Sequence, residues 1–189
     1  MACDITSGFT LGCRDNSGGI KNIYILGESG SVAPAITTIE EVSDGLISNI
    51  TGTGTFYKYE LTKNTGDLSE APTPSLENGT VYYEQTVNAA FHKLQASIRN
   101  QVKVLAQNPD LKIIVETNNG EESPYTGKFF FVGRYRGATL SAGAAGTGTT
   151  FGDANQYALT FQGLEPQPMD EIQTEDGTLS SALTGITVL

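Results

Sequence analysis

Hydrophobic and polar residues alternate in four segments of the chain, and this period of two is typical of β-strands with one buried face. The segments are 55–62, 80–87, 111–117 and 156–162. In the first of them, Tyr57, Tyr59 and Leu61 alternate with Lys58 and Glu60. The alternation predicts four half-buried strands, and it makes a mainly β fold the expected class.

Two further runs, 20–26 and 128–132, are apolar at consecutive positions. A strand with this pattern has two hydrophobic faces, so it has to be covered on both sides. The cover comes either from its own domain or from a neighbouring subunit.

The segment 91–107 follows the helical period instead. Its apolar residues recur at intervals of three and four positions: Phe91, Leu94, Ile98, Val102 and Leu105. Asn108 and Pro109 supply a stop signal, so the pattern predicts one amphipathic helix. Its polar face carries three bases and no acid, and it is either a solvated face or a contact surface for an acidic neighbour.

Two long segments, 63–79 and 136–155, show no apolar period and are predicted to be loops. Loops of this length are uncommon inside a compact domain and are usually functional or disordered. Between them, an Asn-Gly pair at 119–120 predicts a turn that folds the strand 111–117 back toward the strand 128–132.

The C-terminal segment 164–189 is acidic in its first half and apolar in its second. It carries five acids and no base: Glu165, Asp170, Glu171, Glu175 and Asp176. We interpret it as an acidic extension, or arm, of a β-rich domain that spans 1–163. The alternatives are docking on its own subunit, docking on the next subunit, and a frayed terminus.

The chain has 189 residues and a net charge of −10, from 21 acidic and 11 basic residues. This length fits one domain. Because phosphate binding needs clustered lysine and arginine, the charge argues against a protein that grips nucleic acid or an anionic membrane. An acidic protein can still border a path along which DNA slides, since it repels the polymer. With neither an apolar run of membrane-helix length nor a signal-peptide pattern, we expect synthesis in the cytoplasm and no membrane insertion.

The sequence offers little for catalysis or for binding a metal or a cofactor. His92 is the only histidine, and it falls inside the predicted helix rather than beside a nucleophile. Cys3 and Cys13 could pair, but in a cytosolic chain we expect them to be free thiols. We therefore predict no enzyme activity, no metal and no cofactor.

Three stretches of the chain resemble the major tail-tube protein family of tailed bacteriophages, which is related to the tube proteins of contractile injection systems. They are IIVETNNG at 113–120, FFFVGRYRGATLSAG at 129–143 and GDANQYALTFQGLEPQPM at 152–169. The opening GCRDNSGGIKNIYIL, at 12–26, is similar to phage structural proteins more generally. The resemblance runs from Thr80 to Met169, and the tail after Met169 departs from it.

The resemblance implies a β-sandwich or small barrel flanked by one helix. It also implies hexameric rings that stack into a tube, with an inner wall formed as a continuous β-barrel by strands from every subunit. Such a subunit would contact copies of itself and other tail proteins, let DNA pass through the lumen without specific binding, and reside in the virion tail.

Two sets of residues are candidates for roles in such a tube. The candidate acids of the lumen are Glu40, Glu41 and Asp44. The candidate contacts between subunits are Asp67, Glu70, Lys93, Arg99, Lys103, Asp170 and Glu171.

Other virion components with the same kind of domain are the nearest alternatives, namely a tail terminator, a head-to-tail ring or a capsid decoration protein. A carbohydrate-binding β-sandwich module is a more distant one. The chain has no tryptophan for stacking on sugars, although its eight tyrosines could serve instead.

Overall fold

The structure is a computed structural model that describes residues 8–10, 16–28, 30–120 and 127–189. Cys3 and Cys13 lie outside the described residues. Asn119 and Gly120, which were predicted to form a turn, are the last residues of the strand 113–120, and this strand pairs antiparallel with the strand 127–132 as the turn prediction required. The described ranges contain one α-helix, α1 (Ala96–Gln107), a 3₁₀ turn at Leu179–Ala182, and thirteen strands. The strands are β1 (Ile20–Gly27), β2 (Ala35–Ser43), β3 (Leu46–Thr53), β4 (Thr55–Glu60), β5 (Gly66–Ser75), β6 (Thr80–His92), β7 (Ile113–Gly120), β8 (Gly127–Val132), β9 (Ala138–Gly146), β10 (Gln156–Glu165), β11 (Asp170–Ile172), β12 (Leu183–Thr184) and β13 (Thr187–Val188).

The strands form two sheets. The larger, nine-stranded sheet has the order β12-β3-β11-β8-β7-β1-β4-β13, with β2 paired to β3. The smaller sheet has the order β5-β6-β10-β9, and all of its neighbouring strands are antiparallel. The prediction of a mainly β fold with one helix is confirmed.

The strands β1 and β7 of the larger sheet lie between two hydrophobic cores, because their side chains alternate between its faces. Ile23 and Ile113 pack toward the smaller sheet, in a core that also holds Phe161. Tyr24 and Ile114 point to the other face, into a second core enclosed by the larger sheet. The two-sided apolar pattern of 20–26 and 128–132 is therefore covered by the subunit itself.

The C-terminal residues belong to the larger sheet. The strand β11 pairs with both β3 and β8, while β12 runs along β3 and β13 along β4. Leu179, Ala182 and Ile186 are buried in the second core. Among the three alternatives for this segment, the structure shows docking on its own subunit, and β10 crosses the expected boundary between 163 and 164.

Both predicted loops are wrong, because each contains a strand of the smaller sheet. The segment 63–79 contains β5, which pairs with β6 along its whole length, and 136–155 contains β9, which pairs with β10. Edge strands have a partner on one side only, so they tolerate prolines and small residues that a central strand would not.

The predicted start of the helix at residue 91 is also wrong, since α1 begins at Ala96. Phe91 continues β6, where it pairs with Tyr157 and contacts the ring of Tyr59 at 5.7 Å between centroids. The chain changes direction at Lys93, whose φ of 70° is left-handed. The apolar spacing of Phe91 and Leu94 thus continues the helical period across a break in the secondary structure.

A buried carboxylate joins β1 to β7. Glu116 accepts hydrogen bonds from Lys21 Nζ at 2.7 Å, from Asn22 Nδ2 at 2.6 Å and from Tyr24 Oη at 2.9 Å. Burial by itself would raise the pKa of Glu116, but these hydrogen bonds lower it below the ordinary value. Burial and the nearby carboxylate raise the pKa of Tyr24, so its hydroxyl stays a donor.

Candidate assembly surface

The smaller sheet has one buried and one uncovered face. Val87, Ala89, Leu159 and Phe161 point inward and are buried. The side chains that alternate with them point outward, and apart from Leu164, which is 52% exposed, they are polar or small: Asp67, Ser69, Ala71, Glu84, Thr86, Asn88, Ala90, Thr139, Ala142, Ala144, Ala158, Thr160 and Gln162. This outer face therefore carries two acids and no lysine or arginine.

Hydrogen bonds cross the outer face from strand to strand. Asn88 Nδ2 donates to both carboxylate oxygens of Asp67, at 3.2 and 3.3 Å, and Asn88 Oδ1 accepts from Thr160 Oγ1 at 2.8 Å. Gln162 Nε2 donates to Glu84 Oε1 at 2.6 Å. Amides and hydroxyls thus fix both carboxylates in position without neutralising their charge.

One open edge of this sheet is β5, and its backbone groups are only partly available for pairing. The carbonyl of Thr65 accepts from Ala90 N at 2.9 Å, so odd-numbered residues of β5 face β6 and even-numbered ones face the open edge. Pro72 and Pro74 are even-numbered and lack an N–H. The open edge therefore offers donors only within 66–70.

The hairpin of β5 and β6 extends beyond the rest of the sheet. The strand β10 accompanies β6 only as far as Tyr83, so the ribbon 73–82 has two strands and, among the described residues, no third. Leu76 at its tip is 100% exposed and Val81 is 52% exposed. A two-stranded ribbon is marginally stable alone, and exposed apolar side chains of this size favour contact with another surface.

The opposite edge of the sheet is β9, which among the described residues pairs with β10 and, at Ala138 alone, with Leu111. After Ser141 it consists of alanine and glycine alone, and these residues are exposed. Natural sheets usually protect an edge with charged residues, prolines or bulges. The strand β9 has no charged residue and no proline, but its pairing with β10 shifts register at Ser141, and Ala138 already exchanges two backbone hydrogen bonds with Leu111. The part of its edge that is open to a second strand is therefore 142–146.

The loop 133–137 fastens the two sheets to each other. The N–H of Gly133 donates to Gln85 Oε1 at 3.1 Å. The N–H groups of Tyr135 and Arg136 donate to the two carboxylate oxygens of Glu165, at 3.0 and 2.9 Å. Glu165 is 1% exposed, so these charge-assisted bonds lie in a dry environment where losing them is costly.

Arg134 in the same loop binds two acids from other parts of the larger sheet. Its Nη1 donates to Asp170 Oδ2 at 2.7 Å, and its Nη2 donates to Glu41. Burial alone would lower the pKa of Arg134, but its bonds to the two carboxylates raise it. The guanidinium carbon of Arg134 lies 4.8 Å from the centre of the Tyr135 ring, so a cation–π contact within the loop adds to the two ion pairs.

The three acids predicted for the lumen lie together, but they are not on the smaller sheet. Glu40 and Glu41 are on β2, and Asp44 is in the turn between β2 and β3. All three are exposed, and Glu41 is the one bound to Arg134. Their role in a lumen stays a prediction.

The acids among the predicted subunit contacts are mostly engaged within the chain. Glu70 accepts from Gln85 Nε2 at 3.3 Å and from the N–H of Met169 at 2.7 Å. Asp170 is bound to Arg134, and Glu171 forms an ion pair with Lys128 at 2.9 Å. Asp67 is exposed on the outer face described above.

The bases among the predicted contacts differ from the acids, because they are not engaged within the described part of the chain. Lys93, Arg99 and Lys103 are all exposed, and none takes part in an ion pair among the described residues. Lys93 precedes α1, and the other two lie one turn apart on it.

The sequence interpretation missed the two open edges. The one signal for β5 was the placement of Pro72 and Pro74 two residues apart, which suits the outward-facing positions of an edge strand. The strand β9 gives no such signal, because alanine and glycine carry no alternation of polarity.

Comparisons with protein-family models, with curated proteins and with solved structures give no match for this chain. Within the described ranges, no group of three or more histidine, cysteine, aspartate or glutamate residues is placed to hold a metal ion. No helix in that part of the chain is long and apolar enough to cross a membrane.

Proposed function

We propose that this chain is a structural subunit of a phage tail tube, which assembles as rings that stack into a conduit for DNA. The observation that carries the proposal is the smaller sheet, which within the described residues has an outer strand on each side and a mostly polar face toward solvent. In this proposal β9 of one copy pairs with β5 of the next, and the sheets of successive copies form the tube wall.

The strand directions suit this joining. Neighbouring strands alternate in direction along β5-β6-β10-β9, so β9 is antiparallel to β5 of the following copy when sheets meet edge to edge. The contact joins two different edges, and such heterologous contacts produce closed rings or open filaments. The resemblance to tail-tube proteins favours six copies; about 24 strands spaced ~4.8 Å apart would form a wall roughly 115 Å around before strand tilt widens it.

The charges of the two edges favour this pairing over a symmetric one. Two β5 edges side by side would bring Asp67 and Glu70 of each copy close to the same acids of the other, which is repulsive. The edge strand β9 is uncharged, so it can pair with the acidic strand β5 without repulsion between like charges.

The outer face of the smaller sheet would then border the lumen. It contributes Asp67 and Glu84 and no base, so it would repel DNA phosphates rather than bind them. The lumen acids of this proposal are therefore Asp67 and Glu84 rather than Glu40, Glu41 and Asp44. The ribbon 73–82 is free to reach a neighbouring ring or another tail protein.

Electron microscopy of the purified protein over a range of concentrations, together with its mass in solution, tests the proposal. Hollow tubes or stacked rings would support it. Closed single rings would favour a tail terminator or a head-to-tail ring instead. A protein that stays monomeric up to the highest soluble concentration would contradict it and favour a decoration protein or a binding module.

A further inference from the structure

The subunit pairs many of its basic side chains internally, but one segment is an exception. Ion pairs within the chain involve Lys21, Lys58, Lys112, Lys128 and Arg134. The segment 93–103 holds three bases and no acid, and none of the three has an ion pair among the described residues. In a chain of net charge −10, this leaves positive charge concentrated on one exposed element.

The helix α1 presents two of these charges, those of Arg99 and Lys103, away from its own subunit. Leu105 faces the core and is 6% exposed, while Arg99 and Lys103 point to solvent from adjacent turns. Val104 beside them is 60% exposed. The outward surface of the helix is thus basic with an apolar residue at its side. We call Lys93, Arg99, Lys103 and Val104 the basic face.

Lys93 is held in a conformation that its own residue type disfavours. Its φ of 70° lies in the left-handed region, where among the described residues other than glycine only Asn64 joins it. Asn155 holds this geometry, because its carbonyl accepts from Lys93 N at 2.8 Å and its Oδ1 accepts from Leu94 N at 3.1 Å. Strained backbone that the surroundings maintain is often found at functional positions.

The same chain carries a complementary surface on the hairpin of β2 and β3. The stretch 30–57 contains no lysine or arginine. Glu40 and Asp44 are exposed and have no ion pair among the described residues, although Glu41 between them is bound to Arg134. Val42, also between them, is 62% exposed. We call Glu40, Val42 and Asp44 the acidic hairpin.

We propose that the basic face of one copy docks on the acidic hairpin of a second copy, with Val104 and Val42 in contact. The two surfaces are opposite in charge and each presents one exposed valine, and the charged residues that define them have no ion pair among the described residues. Because they differ from each other, the contact is heterologous and adds to rings or stacks rather than closing a symmetric dimer. The inference rests on the proposed function only in taking the partner to be another copy of this chain.

Charge reversal tests the contact. We expect Arg99→Glu/Lys103→Glu and Glu40→Lys/Asp44→Lys each to raise the concentration needed for assembly at least tenfold, as measured by sedimentation velocity at physiological salt. The quadruple variant carries both changes and has the net charge of the wild type. We expect it to assemble at nearly the wild-type concentration. An equimolar mixture of the two double variants should also assemble, because each supplies the surface that the other lacks.

Lys63→Glu/Arg136→Glu is the matched control, since it makes the same change in net charge at two other bases that have no ion pair among the described residues. We expect it to assemble more readily than Arg99→Glu/Lys103→Glu. Thermal melts confirm that each variant is folded, and rescue in the mixture shows that loss of assembly is not loss of folding.

The outcomes separate this inference from the proposed function. If the wild type assembles and both double variants assemble equally well, the docking is wrong and the tube proposal stands. Failure of both the quadruple variant and the mixture to assemble also overturns the docking. A wild type that never assembles overturns both.

Discussion

The two sheets of this molecule differ in how far their edge strands are covered. In the larger sheet, the C-terminal strands cover the sides of β3 and β4, and strands such as β1 are buried on both faces. In the smaller sheet, β5 and β9 are the outer strands, and the outward side chains are exposed or half-buried in the part of the chain that the structure describes. One chain thus combines a larger sheet partly covered by its own C-terminal strands, in which β2 keeps a single partner, with a smaller sheet that has an open strand on each side. We expect stability to depend mainly on the larger sheet and edge-to-edge pairing of copies on the smaller one.

Removing residues 170–189 is expected to have the largest effect, because it takes away the segment that completes the larger sheet. Ile172, Leu179, Ala182 and Ile186 leave the second core with it. Burial of a large aliphatic side chain is worth about 2 kcal/mol, so the loss is comparable to the whole stability of a typical domain. We expect no cooperative thermal transition by circular dichroism.

The matched control for this truncation is Glu175→Gln/Asp176→Asn, which removes acids of the segment but keeps its apolar residues. We expect its melting temperature to lie within a few degrees of the wild type. A truncated chain that melts cooperatively near the wild-type temperature would show that the segment is an accessory arm after all.

Among the single substitutions, Glu165→Ala is expected to be the most destabilising, because it removes the hydrogen bonds that connect the loop 133–137 to the smaller sheet. The substitution leaves the N–H groups of Tyr135 and Arg136 without their acceptor in a buried place. Each lost acceptor costs about 2 kcal/mol, so we expect the free energy of unfolding to fall by roughly 4 kcal/mol. Urea denaturation measures this change in the free energy of unfolding.

Glu165→Gln provides the comparison within the same site. The amide keeps one carbonyl oxygen, so it can satisfy one of the two N–H groups and should lose about half as much stability. Equal losses for the alanine and glutamine variants would mean that the two hydrogen bonds are not what holds the loop.

The parts of the fold that the sequence predicted are those where side chains report the environment. The alternation at 55–62 located β4, although its fully buried residue is Phe56 and Tyr57 is exposed, and the consecutive apolar residues of 20–26 located a strand covered on both faces. Prediction failed where hydrogen bonds between backbones define the strand. The strand β9 contains mainly alanine, glycine and small polar residues, and β12 and β13 are two residues long.

The assembly surface was predictable only in part, for a related reason. The sequence showed that Lys93, Arg99 and Lys103 share a segment without acids, and the structure places all three at the surface. It could not show that Lys93 has a left-handed backbone, because Asn155, which holds it, is distant in the chain. Nor could it show that the prolines of β5 face an open edge.

The pH dependence of stability should show the contribution of the buried carboxylate Glu116. The pKa of Glu116 is lowered in the folded state, so its contribution is present above the ordinary glutamate value of 4.5 and is lost as the pH falls through the folded value. Glu116→Gln should cost about 2 kcal/mol at neutral pH through weaker hydrogen bonds. It should also flatten the decline of melting temperature below pH 4.5. If the melting temperature of Glu116→Gln falls as steeply below pH 4.5 as that of the wild type, other carboxylates are responsible for the acid destabilisation.

A charge placed on β9 tests the open edge without disturbing the interior. Ala144 is exposed on the outer face, opposite Ala158. Ala144→Asp would set a negative charge near the acidic β5 edge of the next copy, and we expect it to weaken assembly about tenfold, or ~1.4 kcal/mol. Ala144→Lys has the opposite sign and should assemble at least as well as the wild type. Equal weakening by both would indicate steric obstruction, and no effect of either would exclude this edge.

The smallest expected effect is a gain in stability from Lys93→Gly. Glycine adopts a positive φ without strain, but it also gains freedom in the unfolded chain, so the net gain should be only about 0.5 kcal/mol. Asn64→Gly is the control at the other left-handed residue, and it should gain less because asparagine tolerates that region. If Lys93 takes part in docking through the basic face, Lys93→Gly should have a higher melting temperature by differential scanning calorimetry and yet assemble less readily than the wild type. A variant that gains stability and assembles like the wild type would leave the strain at Lys93 without a role in docking.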